Sequence, residues 1–403
     1  MKNTLANENH LSKTLHYLFR HPQTSRVEIA AGTSLTRALV THSISRLQEA
    51  GLVRETGEAV RKKKGSGKAR RVLELNPDSV CTIGIEFNAA QITAARCRID
   101  GTIDQIIEKP IDQIDLDHLN TEISGLMRSL SESSPLPVLG YGLAIPGHYD
   151  EVNDRIITNN PSWKSFSLQR IREKLNTELP LWIENNVECM SYGRYMFRSE
   201  NSPEEFILLH VGPGLYCSFF DSALTGRKKS DYFGEIGHSV VDINGTLCEC
   251  GKKGCLQTYI SSSWLIKRAE IYLQNGSSEI LSQLVSETGI LNLEVLQEAY
   301  RQKDPYVREI LEDGLNRLAV TISNLLIVHD ADRIFINSQL LQEPELQEFF
   351  NEKIRKQFGF ILGFESVPVE ILPFRKNRGA QGACALVFYQ ELIDHPAFLT
   401  ETE

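Results

Sequence analysis

Cys248, Cys250 and Cys255 place three thiols within eight residues, with Gly251 and Gly254 between them and His238 one strand earlier. The glycines can supply the positive φ that so tight a loop needs. Three cysteines and a histidine form a tetrahedral N/S set suited to zinc, and a set with no open position holds a fold rather than activating water. The competing reading is three ordinary buried thiols. Their crowding favours metal over disulfide in a chain whose start, M-K-N-T-L-A-N-E-N-H, lacks the apolar region of a secretion signal. The expectation is one structural zinc per chain on His238, Cys248, Cys250 and Cys255. The other five cysteines, Cys81, Cys97, Cys189, Cys217 and Cys384, are scattered as buried small apolar residues would be.

A second chemistry lies at residues 61–71, R-K-K-K-G-S-G-K-A-R-R, which carry seven positive charges and no acid. Such a run can be merely a solvated face. Its setting suggests more. Residues 1–76 hold fourteen Lys and Arg against six Asp and Glu, a net +8, against −17 for the remainder; together these give the chain's −9. A basic head on an acidic body fits a small nucleic-acid-binding module joined to a domain with another task.

The elements needed to present those charges can be read in order. Leu11, Leu15, Leu18 and Phe19 form one apolar stripe of a first helix ending near His21-Pro22. Ser25 with Glu28 reads as a capping box opening a second helix, with Val27, Ile29 and Ala30 as its apolar contacts. Thr36 can cap a third, in which Val40, Ile44 and Leu47 face inward until Gly51. That leaves Arg37, Ala38, Thr41, His42 and Ser45 outward, short polar groups and an Arg suited to the major groove. Residues 52–55 and 72–75 read as paired strands with the basic run at their tip. A generic helical cap would also show three short amphipathic helices, but not this hairpin. The expected DNA contacts are Ser25, Arg26, Thr36, Arg37, Ala38, Thr41 and His42, with Arg61, Lys62, Lys63, Lys64, Lys68, Arg70 and Arg71 on phosphates and the minor groove.

Composition excludes several classes. At 403 residues, 41% hydrophobic and 24% charged, the chain is an ordinary globular protein with room for two or three domains, and it has no apolar run of membrane-spanning length. A cytoplasmic protein without membrane contact is expected. After Asn76-Pro77 come β-like runs at 80–87, 90–99 and 102–109, with Asp100-Gly101 as a hairpin turn. A helix near 115–132, strands at 138–145 and 207–212, and helices near 257–275, 305–328 and 379–392 follow.

G-E-I-G-H at 234–238 followed by C-x-C-G-x-x-G-C-L at 248–256 resembles the signature of the ROK family, which groups bacterial transcriptional repressors with sugar kinases. S-R-V-E-I-A, L-T-R-A-L-V-T and L-Q-E-A-G-L-V-R-E resemble the head of its repressors. The resemblance covers nearly the whole chain. It implies an α/β protein with an N-terminal winged helix-turn-helix followed by a two-lobed, actin-like and ribonuclease-H-like sugar-kinase fold. The domains expected are 1–76 for the head, 77–188 for the first lobe completed by a C-terminal helix at 378–395, and 189–377 for the second lobe with the zinc loop.

The same resemblance separates kinase from sensor. Kinases of the family carry an acidic residue followed by Gly-Gly-Thr at the first hairpin, where glycine lets backbone N–H groups approach phosphate. Here the residues are Glu86-Phe87-Asn88-Ala89-Ala90. A later glycine run is replaced by Ile336-Asn337-Ser338, and Gly212-Pro213-Gly214 keeps only part of another. Where kinases show Glu-Asn-Asp with its carboxylate base, this chain has Glu184-Asn185-Asn186, and an amide accepts no proton at neutral pH. No catalytic residue is therefore assigned.

G-L-A-I-P-G at 142–147 and N-N-P-S-W at 159–163 match positions that shape the family's sugar cleft. The expected effector groups are Asn159, Asn185, Asn186, Glu235, His238 and Gln257, whose amide, carboxylate and imidazole groups suit sugar hydroxyls. Asn159 or Asn185 taken alone reads more simply as a loop or core hydrogen bond. His238 is expected to serve twice, one nitrogen on zinc and the other toward the sugar. Gln257 stands where the family commonly has Glu, and with Asn186 it lowers the site's negative charge, so a sugar phosphate or a modified sugar is expected to be tolerated better than in a glucokinase pocket.

The sequence thus reads as a repressor of carbohydrate-metabolism genes, binding an inverted-repeat DNA operator as a homodimer or dimer of dimers and responding to a sugar or sugar phosphate. The alternatives are an ATP-dependent sugar kinase, a repressor controlled by a phosphotransferase-system protein, and an activator with the same chemistry.

Overall fold

The structure is a computed structural model that describes residues 2–58, 71–113, 118–158, 163–197, 203–223, 233–359 and 367–394. The chain begins with α1 (Lys2–Arg20), α2 (Arg26–Thr33) and α3 (Arg37–Glu49), then the strands β1 (Val53–Glu58) and β2 (Arg71–Leu75). Leu15, Leu18, Ile29, Val40, Ile44, Leu47, Leu52 and Leu73 are buried and bring these elements together, while Val27 stays exposed. Ser25 closes a complete capping box with Glu28, and the Thr36 hydroxyl accepts from Leu39 N, so both helix starts are fixed locally. β1 and β2 pair antiparallel from Val53 opposite Leu75, giving three helices followed by a hairpin.

Next come β3 (Cys81–Phe87), β4 (Gln91–Arg98), β5 (Ile103–Pro110), α4 (Leu119–Glu132), β6 (Val138–Ile145), β7 (His148–Asp150), β8 (Arg155–Ile157), α5 (Leu168–Leu175), β9 (Leu181–Asn185) and α6 (Asn186–Phe197). A second series runs β10 (Glu205–Val211), β11 (Leu215–Asp221), α7 (Gln257–Ile260), α8 (Ser262–Gln274), α9 (Glu279–Thr288), α10 (Leu293–Arg301), α11 (Pro305–Val328), β12 (Ile334–Ser338), α12 (Pro344–Phe358) and β13 (Val369–Leu372). The last helix is α13 (Arg378–Tyr389), continued by a wider turn over Gln390–Asp394. Among the described residues no helix is long and apolar enough to cross a membrane.

Two compact units result: Met1–Ser202 with Lys376–Glu403, and Pro203–Arg375. In the first unit the five-stranded sheet has the order β5-β4-β3-β6-β9, antiparallel through β5, β4 and β3 and parallel through β3, β6 and β9. One face carries α4 and α5 over Ile83, Ile85, Phe87, Leu143 and Ile145. The other carries α13, which lies so close that a Cβ on Gly84 would stand 2.1 Å from Ala380 O and one on Gly142 2.2 Å from Ala383 O. The expected break at 188 falls inside α6. The whole helix belongs to the first unit, because it packs along α13 and buries Val187, Cys189, Met190, Tyr192, Tyr195 and Met196.

In the second unit the sheet order is β11-β10-β12-β13, antiparallel for β10 with β11 and parallel for the rest. Ile207, Leu209, Ile334 and Ile336 meet α8 to α12 in one core. The loop between β11 and α7 carries the cysteine cluster.

Candidate functional site

The ligand atoms of His238, Cys248, Cys250 and Cys255 all lie within 4.8 Å of one another. Two pairs are close: Cys248 Sγ is 3.6 Å from His238 Nδ1, and Cys250 Sγ is 3.6 Å from Cys255 Sγ. The backbone makes the convergence. Cys248 N donates to Lys252 O at 2.8 Å and Gly251 N to Cys248 O at 2.9 Å, curling the loop, while Leu256 N donates to Ser239 O at 2.8 Å and returns the chain beside His238. Gly254 has φ +67°, and a Cβ there would stand 1.6 Å from Asp242 O, so only glycine fits. Three thiols and an imidazole, with no carboxylate, suit tetrahedral zinc better than an oxygen-seeking cation.

Two further groups flank this cluster. Glu235 precedes the short 3-10 turn Ile236–His238, and its Oε2 lies 3.9 Å from His238 Nε2. The imidazole therefore has one nitrogen toward the thiols and the other toward a carboxylate. Gln257 is the first residue of α7, two positions beyond Cys255. The partial glycine loop closes on itself through Gly212 N to Gly214 O at 3.1 Å. Ile336, Asn337 and Ser338 are buried strand residues, and Asn337 Nδ2 pairs with His210 Nδ1 at 2.9 Å.

In the first unit, Asn185 is buried and both ends of its amide are used. Nδ2 donates to Gly147 O at 3.1 Å, and Oδ1 accepts from Val187 N at 2.8 Å, capping α6. Asn186, the first residue of that helix, turns Nδ2 toward Glu86 Oε1 at 3.5 Å. Glu86 is a site residue that its sequence setting alone did not single out. It is buried at the end of β3 and accepts from Asn186 and from the backbone N–H groups of Gly379 and Ala380 in the first turn of α13. Burial pushes its carboxyl up to about 7, against the lowering effect of those three donors. The signal was an acid at a strand end; its partners come from residues about a hundred and three hundred positions away.

In the head, Thr36, Arg37, Ala38, Thr41, His42 and Ser45 are exposed along one side of α3 and its cap, with Thr41 Oγ1 donating to Arg37 O at 2.8 Å. Ser25 is buried, and its hydroxyl is spent in the capping box. Arg26 and Arg71 both pair with Glu55, at 2.7 Å each, and the Arg26 and then the Arg71 hydrogen bonds hold the Glu55 carboxyl below its ordinary range. Asn159, Arg61, Lys62, Lys63, Lys64, Lys68 and Arg70 lie outside the described residues.

Residues 82–390 match the model of the ROK family. The xylose repressor of Bacillus subtilis (strain 168) is 26% identical over 387 residues, covering 94% of each chain. Among solved structures, a ROK family transcriptional regulator that is a homolog of the E. coli MLC protein aligns with TM-score 0.75 and 20% identity over 98% of both chains. A ROK family glucokinase from Streptomyces griseus, in complex with glucose and AMPPNP, aligns with TM-score 0.65 and 20% identity over 76% of this chain and 98% of its own. The fold shared with both is the mixed α/β, actin-like body; the regulator aligns over the N-terminal helices as well.

Proposed function

The chain belongs to the ROK family, and from that premise we propose that it is a DNA-binding transcriptional repressor of sugar-metabolism genes, whose kinase-like body senses a sugar or sugar phosphate without phosphorylating it. One observation carries the reading. Similarity to the xylose repressor of Bacillus subtilis runs over 94% of both chains, so head and body are matched together, whereas the glucokinase body accounts for 76% of this chain.

The chemistry of the parts supports it. α3 offers Arg37, Ala38, Thr41 and His42 to a major groove, and the basic run at 61–71 would add phosphate contacts and steep salt dependence. A homodimer would match its two-fold axis to an inverted repeat. Glu235, His238 and Gln257 are donors and acceptors of the kind sugar hydroxyls need, and Asn186 and Asn159 are further candidates. Asn185 acts through its cap, by fixing where α6 and therefore Asn186 begin.

His238, Cys248, Cys250 and Cys255 would hold zinc. The metal would supply rigidity, fixing the ring of His238 so that Nε2 faces the ligand beside Glu235. The second reading, an ATP-dependent sugar kinase, draws on the body shared with glucokinases. Against it stand an amide at Asn186 where the family has its base, and a buried strand at 336–338 where the family has a glycine run.

Fluorescence anisotropy with DNA from upstream of the protein's own gene tests the reading, at two salt concentrations, with D-xylose, D-glucose and their phosphates. Salt-sensitive binding released by one compound is expected. Binding that none of them changes would move control to a protein partner, such as a phosphotransferase-system component. Turnover of ATP with any of these sugars would replace the sensor by a kinase.

A further inference from the structure

We propose that α6 and α13 act as one two-helix rod linking the effector-facing end of the first unit to the DNA-binding head, with the contact of Tyr195 on Arg20 and His16 as its far joint. This rests on the repressor reading and adds its route of regulation.

Both helices start at one carboxylate. Glu86 accepts from Asn186, the first residue of α6, and from the N–H groups of Gly379 and Ala380 at the start of α13. The first N–H groups of a helix have no partner within it and need an outside acceptor, and here one carboxyl group serves the starts of two helices. Asn186 is also a proposed sugar contact, so a ligand that draws on its amide alters the node directly.

Between their ends the helices touch backbone to backbone. A Cβ on Gly382 would stand 2.1 Å from Cys189 O, and one on Gly193 would stand 3.1 Å from Gly382 Cα. So close a pair cannot slide without clashes, and it moves as one body of roughly 18 Å, from 1.5 Å per residue over twelve residues.

The far ends meet the head's first helix. The Arg20 guanidinium lies 4.3 Å above the Tyr195 ring, and His16 stands 5.4 Å from the same ring. Phe388 near the end of α13 lies 6.2 Å from Phe19, and Ser12 Oγ donates to Ile393 O just beyond it. β9, which leads into Asn185, joins the same end through Trp182 Nε1 to Glu391 Oε1 at 2.7 Å.

Among the described residues a further attachment of the head is polar. Asp78 in the linker binds Arg98 of β4 at 2.5 Å and lies 3.8 Å from Arg54 of β1, while Asn76 Nδ2 donates to Gly51 O at 2.8 Å. A head held at Asp78 and pushed at α1 turns about the linker. Small helix shifts amplified at a packed contact are a known mode of switching, and the required difference in ligand contacts between states lies at Asn186.

A double-mutant cycle on DNA affinity tests the rod without needing the natural effector. Glu86→Gln, Tyr195→Leu and the double variant are titrated by anisotropy with the upstream DNA fragment. Glu86→Gln is expected to shift affinity, and the shift to shrink by about threefold or more when Tyr195 is replaced, the size expected for coupled rather than independent sites. Tyr195→Phe keeps the ring and should restore the single-variant shift. If Tyr195→Leu unfolds early by circular dichroism, Arg20→Gln removes the other half of the joint and takes its place in the cycle. Additive effects, or a silent Glu86→Gln, overturn the rod while leaving the repressor reading intact. A wild-type protein that binds neither the upstream fragment nor any duplex selected from a random pool overturns the reading itself, and the rod with it.

Discussion

Cys250 Sγ lies 3.6 Å from Cys255 Sγ, with only four residues between the two cysteines in the chain. Two thiols held so close, with Cys248 and His238 beside them, make a donor set that closed zinc would bind together. Removing one donor should therefore cost metal and stability at once. Cys250→Ser is expected to lower zinc content measured by atomic absorption and to reduce Tm by roughly 5 °C or more, the shift that a loss of about 2 kcal/mol produces in a domain of this size. Full zinc loading with an unchanged Tm would remove the assignment.

Glu55 is one of the six acids of the basic head, and it occupies both Arg26 and Arg71. Glu55→Gln should release two guanidinium groups toward phosphate. Affinity for DNA of unrelated sequence is expected to rise, and the slope of log affinity against log salt to steepen by roughly one for each added phosphate contact. Reduced binding with an unchanged slope would mean that the pairs serve only to hold α2 against the hairpin.

The Glu86 carboxyl gives a pH dependence of unusual sign. Its folded pKa of about 7 lies above the 4.5 of an ordinary glutamate, so across that interval the native protein keeps a proton that the unfolded chain has released. Its contribution is thus fully present below pH 4.5, declines from 4.5 to 7 and is flat above. The span corresponds to about 3 kcal/mol. Denaturant unfolding of wild type and Glu86→Gln between pH 4.5 and 8 should show the difference between them change in that window; a constant difference would mean that Glu86 does not titrate there.

Arg37 opens the exposed side of α3. Arg37→Ala should weaken binding to the upstream fragment by about 1–3 kcal/mol and narrow its advantage over unrelated DNA, as expected when a base contact is lost. Equal weakening on every sequence would reassign the residue to the phosphate backbone.

Much of this was legible because it is local. The Ser25 and Glu28 box, the Thr36 cap, the hairpin turn at Asp100-Gly101 and the thiol loop each lie within a few residues of their partners, and the structure forms the box, the cap, the hairpin and the loop. What escaped depends on distant chain. The sequence of α6, N-V-E-C-M-S-Y-G-R-Y-M-F, is apolar on most sides and names no partner, so nothing local forbids a domain break at 188; its partner α13 comes almost two hundred residues later. Glu86 reads as the remnant of a phosphate loop until the start of α13 is seen to bind it. Ser25 and Asn185 are ambiguous for another reason. A polar side chain that can face a ligand can equally cap a helix, and burial decided for the cap in both.

The seating of α1 on Tyr195 and Phe388 bears on attempts to build chimaeric biosensors. A splice at Asn76-Pro77 divides the chain between a reader of DNA and a reader of small molecules, but it exchanges one half of an aromatic socket and keeps the other. A grafted head would arrive without the residues that fill that socket, and would bind its own promoter without hearing the new body. Transplanting Ser12, His16, Phe19 and Arg20 with the body, onto the first helix of the foreign head, would be the condition for a hybrid that still answers to its ligand.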